Sequence, residues 1–134
     1  MLFRTHLALA ILLAIIIFPY LHEKIIFLFI LFIATLLPDL DLHFFHRKFL
    51  HSFTFCLLLT FFLTLASWNI ALPFLIGYSL HLLADSFTPQ GIMPFWPLQW
   101  KIKGKLKTGS FKETILFYFL LLLIIIFSIL LFVK

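Results

Sequence analysis

The chain has 134 residues, of which 64% are hydrophobic and 11% are charged, against about 45–50% and 25% in soluble domains. A soluble domain of this length buries only about two-thirds of its surface, so the composition excludes an ordinary water-soluble fold and predicts one membrane domain over residues 1–134. The formal charge of +5 suits an anionic membrane surface or a nucleic acid.

Long apolar segments follow one another along the chain, at residues 6–21, 24–37, 52–68, 70–87 and 114–133. About 20 helical residues cross a bilayer core. We therefore predict an all-α integral membrane bundle of about five transmembrane helices, the final one at 114–133. A signal peptide is the alternative for the first segment, but residues 19–22 lack the small residues of a cleavage site, and we expect a retained helix.

The links between the apolar segments also carry signals. Trp68 and Asn69 separate the third segment from the fourth and predict a tight helical hairpin, with Pro73 near the first turn of the fourth helix, where proline is tolerated. Residues 88–113 are rich in proline and glycine and hold Phe95, Trp96 and Trp100. Such residues break helices and suit a membrane interface, so we predict a basic interfacial loop there.

The basic residues divide unequally between the two sides of a five-helix topology. The side of the amino terminus and the 39–51 and 88–113 loops holds eight Lys and Arg residues, and the opposite side holds Lys24 and Lys134. An excess of Lys and Arg marks the cytoplasmic face, which predicts a multi-pass protein of the cell (inner) membrane with a cytoplasmic amino terminus. Because these residues follow the loops, nucleic-acid binding is the weaker interpretation of the charge.

On this topology the remaining polar residues converge at the cytoplasmic ends of the helices. They include His6, Asp39, Asp41, His46, His51, His81 and Asp85. His81 and Asp85 are spaced i, i+4 and project from one helical face. A shared cation needs this arrangement, although a buried histidine hydrogen-bonded to a carboxylate is the structural alternative.

Helix dipoles favour a metal at this cluster. Asp39, Asp41 and Asp85 follow helix carboxyl termini, where the dipole disfavours an anion by about 0.3–1 kcal/mol, so a positive group should offset them. Arg47 and Lys48 could neutralise these carboxylates directly. Histidine and aspartate together are the mixed nitrogen and oxygen ligands typical of zinc, or of manganese or iron, and we favour a divalent metal.

Other polar residues receive structural interpretations. His22, with Glu23 and Lys24, lies on the opposite side and suits a solvated turn. Ser110 and Glu113 have the spacing of a helix capping box, and Ser52 is placed to cap the third helix.

Several short motifs resemble those of a known family. They are Thr5-His6-Leu7, Leu37-Pro38-Asp39-Leu40-Asp41, His46-Arg47 with His51-Ser52, and Gly77-Tyr78 leading to His81, Asp85, Thr88-Pro89 and Gly91. Their order over residues 3–102 resembles the YdjM family of inner-membrane proteins, described as membrane-bound metal-dependent hydrolases. Leu50 and Lys48 stand where the family tends to have threonine and glycine. The ligand order is also similar, more weakly, to zinc-dependent phospholipase C.

The resemblance and the residues together predict a membrane-bound metal-dependent hydrolase, with a phospholipid or lipid phosphate as the substrate at the cytoplasmic face. We expect the metal at His6, Asp39, His51, His81 and Asp85. Asp41 and His46 are expected to act as general base and orienting residue or as further ligands, and Arg47 to bind a phosphate oxygen. A metal-binding scaffold, a transporter and a small regulatory membrane protein are the alternatives, and the oligomeric state is left open.

Overall fold

The computed structural model describes residues 1–42 and 49–133, without the side chains of residues 41 and 42. Within these residues the chain is all-helical and has no β-strand, as predicted. The helices are α1 (Phe3–Ile17), α2 (Lys24–Leu36), α3 (Phe53–Ala66), α4 (Trp68–Ser86) and α5 (Phe111–Val133). Short 3₁₀ turns follow the first two helices, at Phe18–Tyr20 and Leu37–Leu42.

Helix α4 is the centre of the bundle and packs against α1, α2 and α3, while α5 packs along α1. Gly77 lets α4 approach α2 closely, because a Cβ atom at this position would lie only 2.3 Å from the carbonyl oxygen of Leu31. Tyr78, Leu82 and Phe74 form the buried core with residues of α2 and α3. The close approach brings the last turns of α2 and α4 together.

The helices alternate in direction, so their termini gather at two ends of the bundle. At one end the backbone N–H of Leu2 donates to Glu113, which joins the amino ends of α1 and α5. At the same end His81 contacts the carbonyl of Thr35, which joins the carboxyl ends of α2 and α4. We call this the cluster end. At the opposite end the Asn69 amide, at the start of α4, donates to Glu23 over 3.2 Å.

Two helical stretches within the described ranges are long and apolar enough to cross a membrane, by length and composition: Phe3–Tyr20 and Phe111–Val133. Only 6% of the most apolar stretch of α5 is buried, whereas the core helix of a soluble protein is mostly buried by its neighbours. Helix α2, at 13 residues, and helix α3, at 14, are shorter than the roughly 20 residues of a full span. The two long stretches fall short of the predicted five crossings.

The α3–α4 hairpin is present, but its turn lies earlier than the sequence suggested. Helix α4 begins at Trp68 because the Ser67 side chain accepts a hydrogen bond from the N–H of Asn69. Trp68 and Asn69 therefore belong to the helix, and Pro73 lies in its second turn instead of its first. Helix α5 likewise begins at Phe111, three residues before the predicted start, capped by Ser110.

The segment between α4 and α5 contains no helix and folds back on the bundle. Ile92 and Ile102 form an isolated antiparallel bridge, and the N–H of Thr54 donates to the carbonyl of Pro94. The segment predicted as an interfacial loop over residues 88–113 thus holds no helix up to Ser110, and its last three residues belong to α5. Its position at a membrane interface stays a prediction.

Candidate metal centre

The cluster end brings together all five residues that the sequence predicted as metal ligands. His6 lies in the first turn of α1, Asp39 in the 3₁₀ turn after α2, and His51 just before the start of α3, while His81 and Asp85 lie in the last turns of α4. The Ser52 side chain caps α3 by accepting from the N–H of Phe55, as predicted. His46 and Arg47 lie outside the described residues, as does the side chain of Asp41.

His81 has a fixed orientation. Its Nδ1 lies 2.8 Å from the backbone carbonyl oxygen of Thr35. A carbonyl only accepts hydrogen bonds, so Nδ1 carries the proton, and in the neutral ring Nε2 bears a lone pair. That atom lies 3.6 Å from Oδ1 of Asp39 and 3.8 Å from Oδ2 of Asp85. A lone pair facing two carboxylates is repulsive unless a cation lies among them.

Asp85 is the centre of the cluster. Its Oδ1 lies 3.2 Å from Nε2 of His6, and its Oδ2 lies 3.6 Å from Nε2 of His51. The terminal ammonium of Met1 contacts Oδ1 as well. Each carboxylate oxygen thus faces a different histidine.

The cluster is shielded from solvent. His6, His51, His81 and Asp85 are at most 1% exposed, whereas the side chain of Asp39 retains 26% of its accessible surface. Nδ1 of His6 and Nε2 of His81 have no hydrogen-bond partner among the described residues. A buried polar atom without a partner costs about 1–3 kcal/mol, so a ligand or an ion bound at these nitrogens would stabilise the cluster.

The rings of the cluster are packed tightly. His6 stacks on His81 with centroids 4.0 Å apart and planes 10° from parallel, and the His51 ring meets that of His81 edge-on at 5.5 Å. Two stacked imidazolium cations would repel each other, which favours the neutral, metal-ligating form in at least one of them.

The donor set fits a metal ion. Two groups of ligand atoms lie within 4.8 Å of one another, His6 with His81 and Asp85, and Asp39 with His51 and His81. In a tetrahedral zinc site, ligands about 2.0–2.1 Å from the metal stand about 3.4 Å from each other. The separations of 3.2–3.8 Å among these nitrogens and carboxylate oxygens are close to that spacing. The hydrogen bond of His81 to a backbone carbonyl is the usual support of a metal-ligating histidine.

Two groups that support the candidate ligands were not predicted from the sequence. The Thr35 carbonyl orients His81, and the Tyr78 hydroxyl donates to the carbonyl of Leu50, beside His51. Backbone carbonyls give no sequence signal. Tyr78 belonged to a quoted motif, but its role needed the fold.

Glu113 completes the predicted capping box and also joins two helices. The N–H of Glu113 donates to the Ser110 hydroxyl at 3.4 Å, so the cap is present, but the carboxylate accepts from the N–H groups of Leu2 and Gly109 and from the Thr5 hydroxyl. Glu113 is fully buried. It therefore fastens the start of α5 to the turn of α1 that carries His6.

Taken together, these features define a helical membrane protein with a buried histidine and carboxylate centre at one end of its bundle. The family model described as YdjM inner membrane protein matches residues 1–134. The chain therefore belongs to the YdjM family of inner membrane proteins and is associated with the lipid bilayer. The match extends through α5, beyond residues 3–102 that carried the resemblance.

Curated relatives agree with this assignment. Inner membrane protein YdjM of Escherichia coli (strain K12) and that of Shigella flexneri are each 40% identical over 65 residues, covering 43% of this chain and 33% of the relative. The uncharacterized protein YvsG of Bacillus subtilis (strain 168) is 38% identical over 73 residues, covering 51% of this chain and 45% of that protein. The matched regions thus span less than half the length of these relatives. No solved structure matches the chain.

Proposed function

We propose that this protein is a membrane-bound metal-dependent hydrolase whose divalent metal, zinc or alternatively manganese or iron, is held by His6, Asp39, His51, His81 and Asp85. One observation carries the proposal. The Nε2 lone pair of His81, fixed by the Thr35 carbonyl, faces carboxylate oxygens of Asp39 and Asp85 at 3.6 and 3.8 Å. A metal ion satisfies all three groups at once.

Two other cations, the Met1 ammonium and a protonated His81, explain less of the geometry than a metal ion does. The ammonium of Met1 contacts Oδ1 of Asp85, but Oδ2 of Asp85 and Oδ1 of Asp39 still face His81 Nε2. Protonation of His81 would balance one negative charge, yet it would place a cation against the stacked His6 ring at 4.0 Å.

A divalent metal at this position would act as a Lewis acid and lower the pKa of a bound water to about 7. The protein's own residues supply the remaining steps. Asp41, two residues after Asp39, is the proposed general base that takes a proton from the attacking water. His46 is the proposed orienting residue, and Arg47 would bind a phosphate oxygen of the substrate through its guanidinium fork.

The proposed substrate is a phosphoester of a lipid. Asp39 is the ligand that retains solvent exposure, so substrate would approach from its side of the cluster. The cluster end also holds the start of α5, whose length and composition suit a span, so a site at this depth would reach a lipid phosphate without extracting the acyl chains.

The proposal includes a multi-pass topology with the cluster end in the cytoplasm, supported by the eight-to-two division of Lys and Arg. In a Cys56→Ala background, an impermeant thiol reagent added to whole cells should label Asn69→Cys and leave Lys105→Cys unlabelled. Gly104 is a poor labelling site, because its Cβ would lie 1.9 Å from the Phe87 carbonyl oxygen. The reverse labelling pattern would put the centre on the outer face.

The test of activity is a reconstituted assay. Metal-replete protein in proteoliposomes should release phosphate or headgroup from at least one member of a panel of phospholipids and lipid pyrophosphates. Asp85→Ala is the inactive control for the metal, and Asp41→Asn should lower turnover by about 10²–10⁴ while metal content stays the same. Equal release by wild type and Asp85→Ala across the panel would reject the hydrolase.

A metal-stabilised scaffold is the second candidate, because the five proposed ligands come from α1, the turn after α2, the residues just before α3, and α4. An ion here would join those segments and stabilise the bundle without any reaction. The scaffold predicts a large rise in unfolding temperature on metal binding and no release from the panel. A transport path is less favoured, because the interior beyond the cluster is lined by apolar residues such as Ala10, Leu31 and Phe74.

A further inference from the structure

Residues 101–107 form a ribbon without helix, bent at Lys105, that is fastened across the carboxyl end of α4. The N–H of Ile102 donates to the carbonyl of Ile92, that of Gly104 to Thr88 and that of Leu106 to Phe87, over 2.9–3.0 Å. The ribbon is therefore held by its even-numbered backbone groups.

Four lysines lie between and beside these fastened residues. We call this set the lysine row: Lys101, Lys103, Lys105 and Lys107, all of which are exposed. Gly104 makes the arrangement possible, because a Cβ there would lie 1.9 Å from the Phe87 carbonyl oxygen.

No acidic residue lies near the lysine row in the sequence. The sequence contains none between Asp85 and Glu113, while Lys112 adds a further positive charge. Asp85 and Glu113 are both buried and already hydrogen-bonded or ion-paired within the bundle. The row therefore presents its positive charge to whatever lies outside the protein.

The position of the lysine row indicates that its charge faces a membrane surface. The row ends at Lys107, four residues before α5 begins at Phe111, and α5 has the length and composition of a span. Three exposed apolar side chains, Phe95, Leu98 and Trp100, lie in the same loop immediately before the row. Aromatic residues such as Trp100 are enriched at the level of the lipid headgroups, which carry the phosphates.

We propose that the lysine row is a binding site for the phosphate groups of anionic phospholipids in the adjacent leaflet. Each lysine near a membrane surface attracts anionic lipid by about three- to fivefold, and a fixed row lets neighbouring headgroups bind together. This site is separate from the metal centre, and its function requires neither the metal nor hydrolysis.

The test measures lipid selectivity at the protein surface. Protein is reconstituted into phosphatidylcholine vesicles, and the fraction of immobilised spin-labelled phosphatidylglycerol is compared with that of spin-labelled phosphatidylcholine. Wild type should prefer phosphatidylglycerol, and Lys105→Gln should reduce that preference about three- to fivefold. Lys24→Gln removes the same charge at the opposite end and should leave the preference unchanged.

A second variant separates the row from net charge. Lys105→Leu combined with Leu106→Lys keeps composition and charge but moves one lysine from an exposed position to a partly buried one, and should lose as much preference as Lys105→Gln. Lys105→Gln alters an exposed side chain and tests the row even where the exchange variant does not fold. The proposal is overturned by an equal affinity of wild type for both lipids, or by an equal loss in Lys24→Gln. Displacement of phosphatidylglycerol by a short RNA duplex at physiological salt would instead make the row a nucleic-acid surface.

Discussion

The two ends of the bundle carry similar side chains in different surroundings. The opposite end has His22 and Glu23, both exposed, and Glu23 accepts one hydrogen bond from Asn69. The cluster end has three histidines and a carboxylate that are almost completely buried, with ring nitrogens aimed at carboxylate oxygens. The residue types are the same, but water satisfies them at one end and is excluded at the other.

This difference shows why burial gives the cluster its chemical meaning. An exposed histidine beside a glutamate can exchange its partner for water at little cost, so its position implies nothing about a ligand. A buried one cannot, and an uncompensated buried charge or lone pair costs several kcal/mol. Variants that pair a residue of the cluster end with its counterpart at the opposite end therefore test the comparison directly.

The largest effect is expected for the metal ligands. Wild-type protein purified without chelators should retain near-stoichiometric zinc, manganese or iron by elemental analysis. His81→Ala and Asp85→Ala should each abolish retention, because each removes a ligand from a buried site and leaves its partners unsatisfied. His22→Ala and Glu23→Ala should retain the full content. Metal-free wild type, or equal loss in His22→Ala, would rule out the centre.

The sequence predicted the position of the five candidate ligands better than their surroundings. The i, i+4 spacing of His81 and Asp85 and the alternation of helices were enough to predict that these polar residues meet at one end of the bundle. Helix boundaries were less accurate, because the cap at Ser67 and the early start of α5 depend on local side-chain hydrogen bonds. The Thr35 carbonyl and the buried environment of Glu113 follow from tertiary contacts between distant segments, which no local pattern encodes.

A smaller but substantial effect is expected where α2 and α4 meet. Gly77→Ala improves helix propensity by about 1 kcal/mol, yet its Cβ would lie 2.3 Å from the Leu31 carbonyl oxygen and force the helices apart. His81 would then lose the Thr35 carbonyl, and metal affinity should fall about 10–100-fold. The control is Leu83→Ala, which shortens an exposed side chain of the same helix, and isothermal titration should give an affinity near that of wild type. Equal affinities in both variants would show that the close approach does not position His81.

The next effect is on stability and compares two glutamates. Glu113→Gln replaces one acceptor oxygen by an amide donor that faces backbone N–H groups of Leu2 or Gly109. Leaving a buried donor unsatisfied should lower the free energy of unfolding by about 1–3 kcal/mol, measured by chemical denaturation in detergent. Glu23→Gln, at the exposed end, should change it by less than about 0.5 kcal/mol. A similar loss in both would mean that Glu113 does not fasten α5 to α1.

The smallest effect separates positioning from general stability. The Tyr78 hydroxyl donates to the carbonyl of Leu50, the residue before His51, so Tyr78→Phe removes a hydrogen bond that restrains the backbone beside this proposed ligand. The lost bond should cost about 0.5–1.5 kcal/mol of stability, and a less restrained His51 should weaken metal binding severalfold. Tyr20→Phe removes the same hydroxyl from a side chain that is 83% exposed at the opposite end, and should alter neither quantity.

The metal affinity distinguishes the two possible roles of Tyr78. If the hydroxyl only stabilises the fold, Tyr78→Phe lowers the unfolding temperature of the metal-free protein while the dissociation constant of the folded protein for zinc is unchanged. If it positions His51, the dissociation constant rises and the stabilisation gained on adding saturating metal falls, because that stabilisation grows with the ratio of free metal to its dissociation constant. An unchanged dissociation constant in Tyr78→Phe would therefore restrict Tyr78 to packing and leave the orientation of His51 to other contacts.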